Sequence, residues 1–273
     1  MPTIIPIADP ADPRIAPYAQ VRERDLVGRR GAFIAEGEVV LRVLLGPLSR
    51  CRASSLLVAE KRVERLATLI DDLSPEIPVY AAGQPVMDAI VGFHIHRGVM
   101  AHGLRPAEPD AEALLSGLGA RALVLALFGI ANHDNMGGLF RNAAAFGADA
   151  VLLDASCCDP LYRKAIRVSV GAALSTPFAR LPAGDDPLAL LRRAGFSALA
   201  LSPGGGEPLA GVRRPARAAV LLGAEGAGLP DAVLDQARTL AIPMARGWDS
   251  LNVAAASAIV LHELTRGPGA GHG

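Results

Sequence analysis

Four short, largely apolar runs constrain this chain most: ALVLALFGI (122–130), ADAVLLDA (148–155), FSALALS (196–202) and RAAVLLGAE (217–225). None alternates polar with apolar residues along its length, as a strand with one wet face would. Strands of this kind are buried on both faces and belong to parallel sheets covered by helices. Helical patterns fall between them, at GLFRNAAAFG (138–147), DPLYRKAIRVSVGAAL (159–174), DPLALLRRAG (186–195) and DAVLDQARTL (231–240). Short strands at PFARLP (177–182) and Leu240 to Met244 complete the alternation. The expected fold class is α/β with a mostly parallel sheet, and ligands of such sheets sit at the carboxyl ends of the strands.

The stretch IPMARGWDSLNVAAASAIVLHEL (242–264) leaves the last strand through a polar loop containing Trp248, Asp249, Ser250 and Asn252. From Val253 it becomes a helix crowded with small residues, Ala254 to Ala258. Alanine favours the helical state and lets a neighbouring backbone come close. The N-terminus of such a helix offers free N–H groups and a positive dipole end to a polar ligand.

The first third is a smaller α/β unit. Residues 1–13 are proline-rich and read as an extended arm. Strands are expected at 32–35, 54–60, 77–83 and 97–104, with helices at 39–45, 61–73 and 84–93, making a small sandwich. PAEPD (106–110) reads as a linker, which sets domains of 1–108 and 109–273. Arg22, Arg24, Arg29 and Arg30 form its most basic segment, either a solvated helix face or a footprint for phosphate.

With 51% hydrophobic and 20% charged residues, the 273-residue chain can bury a sizeable core. Its formal net charge of zero is not the global signature of a nucleic-acid binder. Cys51, Cys157 and Cys158 form neither a disulfide framework nor a zinc spacing, so no metal is expected. The start carries prolines and acids where a signal peptide has a basic segment, and no apolar run is long enough to span a bilayer. A cytoplasmic location follows as an expectation.

Three loops carry the chemistry, each after a strand. ANHDNMGGLFRN (131–142) clusters Asn132, His133, Asp134 and Asn135, then places Gly137 and Gly138 at the expected start of a helix, with Arg141 one turn inside and on the buried side. LLGAEGAGLP (221–230) holds Gly223, Gly226 and Gly228 around Glu225, a spacing that is neither a dinucleotide fingerprint nor a P-loop. The third is the loop of Ser250, Leu251 and Asn252. His133 and His262 read as a loop residue and a surface or core residue.

Jointly these loops resemble the three motifs of the SpoU/TrmH family of RNA ribose 2'-O-methyltransferases, within the SPOUT superfamily. Asn135, Gly137, Arg141 and Asn142 match the first motif. Gly223, Glu225, Gly226, Gly228 and Leu229 match the second. Ile242, Pro243, Met244, Ser250, Leu251, Asn252 and Val253 match the third, and Ser169 and Gly171 match the segment between. Arg246 and Ala254 depart from the usual glycine and serine. FIAEGEVV (33–40) and HRGVMA (96–101) resemble the family's N-terminal substrate-binding domain, which is related to ribosomal RNA-binding proteins.

The resemblance implies a trefoil-knotted C-terminal domain, a homodimer packed through knot helices, and S-adenosylmethionine held at Gly223, Ile242, Leu251, Leu222 and Met244. It implies catalytic roles for Arg141, Asn135, Glu225, Ser250 and Asn252, and an RNA partner, ribosomal rather than transfer RNA. A transfer-RNA enzyme and a catalytically idle RNA-binding protein of the same fold are the alternatives. A nicotinamide-dependent enzyme is disfavoured by the missing GxGxxG and its downstream acid.

Overall fold

The computed structural model describes residues 2–19, 27–28, 31–91, 98–181, 184, 186–245 and 250–266. Arg22, Arg24, Arg29, Arg30, Arg246, Trp248 and Asp249 lie outside the described residues. The chain divides into two compact units, Met1–Ala107 with Asp159–Ser175, and Glu108–Cys158 with Thr176–Gly273.

The first unit begins with β1 (Ile4–Ile7), β2 (Ala32–Glu36), α1 (Glu38–Leu45), β3 (Arg52–Ala59), α2 (Ala67–Asp71), β4 (Val79–Ala82), α3 (Gln84–Val91) and β5 (Val99–Leu104). Its sheet has the order β1-β4-β3-β5-β2. The expected arm is therefore in part an edge strand, with Ile4 paired in parallel to Val79. Pro6 lies in that strand, and an edge position is where a sheet tolerates a missing N–H. The helix expected over 61–73 is two short 3-10 turns followed by α2. Ile15, Leu57, Met87 and Met100 close the core on one side of the sheet.

The second unit runs α4 (Ala111–Ser116), β6 (Ala122–Phe128), α5 (His133–Ala145) and β7 (Ala150–Leu153). The segment Asp159–Ser175 follows, with α6 (Arg163–Val168) and α7 (Ala172–Ser175). The unit resumes with β8 (Phe178–Arg180), α8 (Pro187–Arg193), β9 (Ser197–Leu201), β10 (Glu207–Pro208) and β11 (Arg217–Gly223). It ends with α9 (Asp231–Leu234), β12 (Arg238–Ala241) and α10 (Val253–Thr265). Seven strands form one sheet, β10-β12-β9-β11-β6-β7-β8, with every neighbouring pair parallel. All seven residues of β6 are buried, as its unbroken apolar run requires.

Two expectations fail here. The helix expected over 231–240 stops at Leu234, and Arg238–Ala241 is a strand paired to β9 on one side and β10 on the other. Leu240 is fully buried there, and the ladder on both sides outweighs the local helical pattern. The strand expected to reach Met244 ends at Ala241.

The helical segment 159–175, assigned by sequence to the C-terminal domain, groups with the first unit. Arg163 pairs with the buried Glu36 at 3.0 Å, and Arg105 with Asp159 at 3.0 Å. Val43 of α1 packs so close to Gly171 that a Cβ there would lie 2.9 Å from the Val43 Cβ. With φ at +89°, Gly171 also holds a conformation open to glycine and strained for other residues.

Candidate active site

The first loop places its helix start earlier than the glycine pair suggested. Asn132 caps α5, its Oδ1 accepting from Asp134 N at 2.8 Å and Asn135 N at 3.2 Å. Gly137 and Gly138 lie inside the helix, and for Gly138 the reason is packing: a Cβ on it would lie 2.7 Å from the Ala254 Cβ of α10. The small residues of α10 thus admit α5 at close range. Asn142 fastens the same face, donating to the Ala254 carbonyl at 2.7 Å and to Ser257 Oγ at 2.8 Å. Ser257 is fully buried. Asn142→Ala is expected to lower stability by about 1–3 kcal/mol, because two hydrogen bonds between α5 and α10 are lost, while Ser257 Oγ keeps its own bond to the Ala254 carbonyl. Thermal unfolding of the variant checks this.

The second loop folds over its own strand. The backbone pairs Ala224 with Gly228, whose N–H donates to the Ala224 carbonyl at 2.9 Å. Gly226 (φ +87°) and Gly228 (φ +69°) supply the turn. Gly223 serves space: a Cβ on it would overlap the Gly228 carbonyl and the Leu229 nitrogen.

In the third loop Asn252 caps α10, its Oδ1 accepting from Ala254 N at 2.9 Å and Ala255 N at 3.3 Å. Its amide nitrogen donates to Asn135 Oδ1 at 2.9 Å and to Glu225 Oε1 at 2.7 Å. One side chain thereby ties all three loops together. Aspartate could cap the helix, but only asparagine has the two donors that bridge an amide oxygen and a carboxylate. Asn135 is buried, at 7% exposure, whereas Glu225 is exposed.

Beside this junction, at the carboxyl ends of β9 and β11, lies a cavity of about 750 Å³. Leu222, Gly223, Ile242, Met244, Ser250 and Leu251 line it, together with Glu225 and Asn252. Ser202 and Asp231 also line it and were missed from sequence. Ser202 directly follows β9, so the strand-end rule alone pointed to it. No Lys, Arg or His is among the described lining residues.

Arg141 stands apart from that lining. It is exposed, about two helical turns from the start of α5 rather than one, and on the solvent side rather than the buried side. Six residues from Asn135, it points about 120° away around the helix. Among the described residues no hydrogen bond or ion pair engages it.

His133 is the first residue of α5, and His262 packs its ring edge-on to Phe146, centroids 6.0 Å apart. No disulfide joins Cys51, Cys157 or Cys158, and burial pushes the Cys157 thiol up to about 12 and Cys51 up to about 11. Cys158 is only partly buried. Among the described residues no group of three or more His, Cys, Asp or Glu could hold a metal, and no helix is long and apolar enough to cross a membrane.

Fold and site together define an α/β protein with a ligand-sized cavity at the carboxyl ends of a parallel sheet, beside three loops drawn together by one asparagine. Residues 122–262 match the SpoU rRNA Methylase family, and the chain belongs to it. A Mycobacterium bovis protein named as an uncharacterized tRNA/rRNA methyltransferase is 40% identical, over 96% of this chain and 94% of its own length. The 23S rRNA (guanosine-2'-O-)-methyltransferase of Coxiella burnetii is 33% identical, over 63% of this chain and 70% of its own. The fold is shared with the crystal structure of an AdoMet-bound rRNA methyltransferase from Sinorhizobium meliloti, at a TM-score of 0.78 and 24% identity, covering 96% of this chain and 98% of that one.

Proposed function

We propose that this chain is an S-adenosylmethionine-dependent RNA methyltransferase that modifies a ribose 2'-hydroxyl in ribosomal RNA. The observation that carries the reading is the junction at Asn252, which gathers Asn135 and Glu225 beside a cavity that Glu225 and Asn252 line. The cavity suits the cofactor. Its volume falls in the range of about 300–1,000 Å³ usual for ligands of that size. Its described walls are aliphatic side chains and strand-end backbone, with carboxylates at Glu225 and Asp231 and no described basic side chain to repel a cation. Leu222, Gly223, Ile242, Met244 and Leu251 would hold it.

When bound, S-adenosylmethionine supplies an electrophilic methyl group on a sulfonium sulfur. The chain's own part is to bring a ribose hydroxyl to that group. Arg141, exposed and unengaged among the described residues, clamps an RNA phosphate in a bidentate fork and so aims the adjacent hydroxyl. A guanidinium stays protonated in proteins, so the phosphate or water takes the hydroxyl proton. Asn135 and Ser250 orient the ribose, and Asn252, its amide engaged by α10, Asn135 and Glu225, holds the first loop against the glycine loop.

The architecture extends the proposal. β12 lies outside β9 in the sheet, yet α10 returns to pack on α5, which supports a trefoil-knotted C-terminal stretch. The exposed Ala255 and Ile259 of α10 support a homodimer packed through that helix. Residues 1–108, with Arg22, Arg24, Arg29 and Arg30, form the RNA-binding domain of a cytoplasmic enzyme whose methyltransferase domain lies within 109–273, apart from the segment 159–175 that groups with the first unit. The test is transfer of a labelled methyl group from S-adenosylmethionine to RNA, with 2'-O-methyl sites mapped in a deletion strain. A lost site in ribosomal RNA is expected. A lost site in transfer RNA alone, or none in any RNA, removes the proposal.

A further inference from the structure

We infer that Asp154 is a positioning residue for methyl transfer, acting through the backbone of the first loop; the inference rests on the function proposed above. Asp154 is the residue after β7 and is not among the cavity's described lining. Its Oδ2 accepts from Gly129 N at 3.1 Å, and its Oδ1 from Ser156 N at 3.0 Å and Cys157 N at 2.9 Å. The Ser156 hydroxyl donates to the same carboxylate, 2.8 Å from Oδ2 and 2.9 Å from Oδ1. Two further bonds join the same two loops. Ile130 N donates to Cys157 Sγ at 3.3 Å, and Cys158 N donates to the Ile130 carbonyl at 2.9 Å. The loop after β7 therefore grips residues 129 and 130 as they leave β6.

What it grips is the point where the chain leaves β6 for the first site loop, packed against the start of the second. Gly129 has φ at +69°, and a Cβ on it would sit 3.2 Å from the Cβ of Ala224, the residue before Glu225. Two residues beyond Ile130, Asn132 caps α5 and so fixes where Asn135 points. Asn135 and Glu225 then meet at the Asn252 amide. Asp154 thus sets the first loop against the second without touching either ligand.

Only a carboxylate fits this post. Three backbone N–H groups and a hydroxyl converge on it, and a carboxylate accepts on both oxygens. The isosteric asparagine offers one accepting oxygen. Kept on the Ser156 and Cys157 N–H groups, it turns its own NH₂ against the Gly129 N–H, donor to donor, and releases the loop.

The test compares Asp154→Asn with Ser156→Ala in the full chain. Single-turnover methyl transfer is measured on ribosomal RNA from a deletion strain, S-adenosylmethionine binding by calorimetry, and backbone opening by amide exchange. Asp154→Asn is expected to slow transfer about 10- to 100-fold while the cofactor Kd stays within about threefold, since misplacement acts on rate rather than on binding. The Gly129 and Ile130 amides should exchange faster in that variant. Ser156→Ala removes a donor from the same carboxylate but leaves the Gly129 bond, and its transfer rate should stay within about threefold of wild type. An Asp154→Asn rate close to wild type overturns the inference. So does an equal loss in Ser156→Ala, or an exchange map that opens across the whole sheet, because Asp154 is then only structural. A wild-type chain that transfers no methyl group to any RNA fails differently: it overturns the proposed function and this inference with it.

Discussion

Arg141→Ala is expected to lower the methyl-transfer rate by about 10³-fold or more, because correct placement of a reacting group contributes roughly 7–11 kcal/mol at best and the clamp supplies part of it. Cofactor affinity should hardly move, since Arg141 is not among the described residues lining the cavity. Stability should stay within about 0.5 kcal/mol, as for other surface substitutions. The side chain is exposed, and no described residue bonds to it, so folding gives no account of an arginine at this point. Arg141→Lys should rescue little, because an ammonium cannot grip a phosphate in a planar fork. Single-turnover transfer, calorimetric cofactor binding and thermal unfolding together decide the matter. A variant that still transfers methyl at near the wild-type rate would falsify the role.

That prediction depends on a geometry the sequence conveyed only in part. The buried strands β6 and β11 were legible because unbroken apolar runs have few other uses. β12 was legible only at its end, Leu240 and Ala241, because RTLA is too short to carry a periodic signal and its identity comes from ladders on both sides. β1 was hidden by Pro6, which reads as a strand breaker unless the strand lies at an edge. The glycine pair in α5 misled for a related reason. Gly138 looks like a helix start, but it exists because Ala254 approaches too closely for any side chain. The site's members were legible as residue types at loop positions. Their convergence on the Asn252 amide was not, since Asn135, Glu225 and Asn252 are brought together only by three strand ends and two helix caps.

The second large effect is expected at Gly223, where glycine is needed for room rather than for an unusual backbone angle. A methyl group there would overlap the Gly228 carbonyl and the Leu229 nitrogen, so Gly223→Ala must push the returning limb of the loop away from β11. Neither obstacle is the flexible end of a side chain; both are backbone, fixed by the Ala224–Gly228 pairing and by buried Leu229. Overpacking of this kind costs about 1–3 kcal/mol, and the displaced limb, Gly226 to Leu229, is itself cavity wall. Gly223→Ala should therefore weaken S-adenosylmethionine binding by about 10- to 100-fold, the same free energy read as affinity. Gly226→Ala makes the contrast. Its φ of +87° strains an alanine by about 1–2 kcal/mol, yet nothing lies within 4 Å of the added carbon. That variant should lose some stability and keep the cavity's shape, with cofactor affinity near wild type. Calorimetry on the two variants separates lack of space from backbone strain. Equal affinity in Gly223→Ala and wild type, with the fold intact, would mean that the cofactor does not rest on this loop.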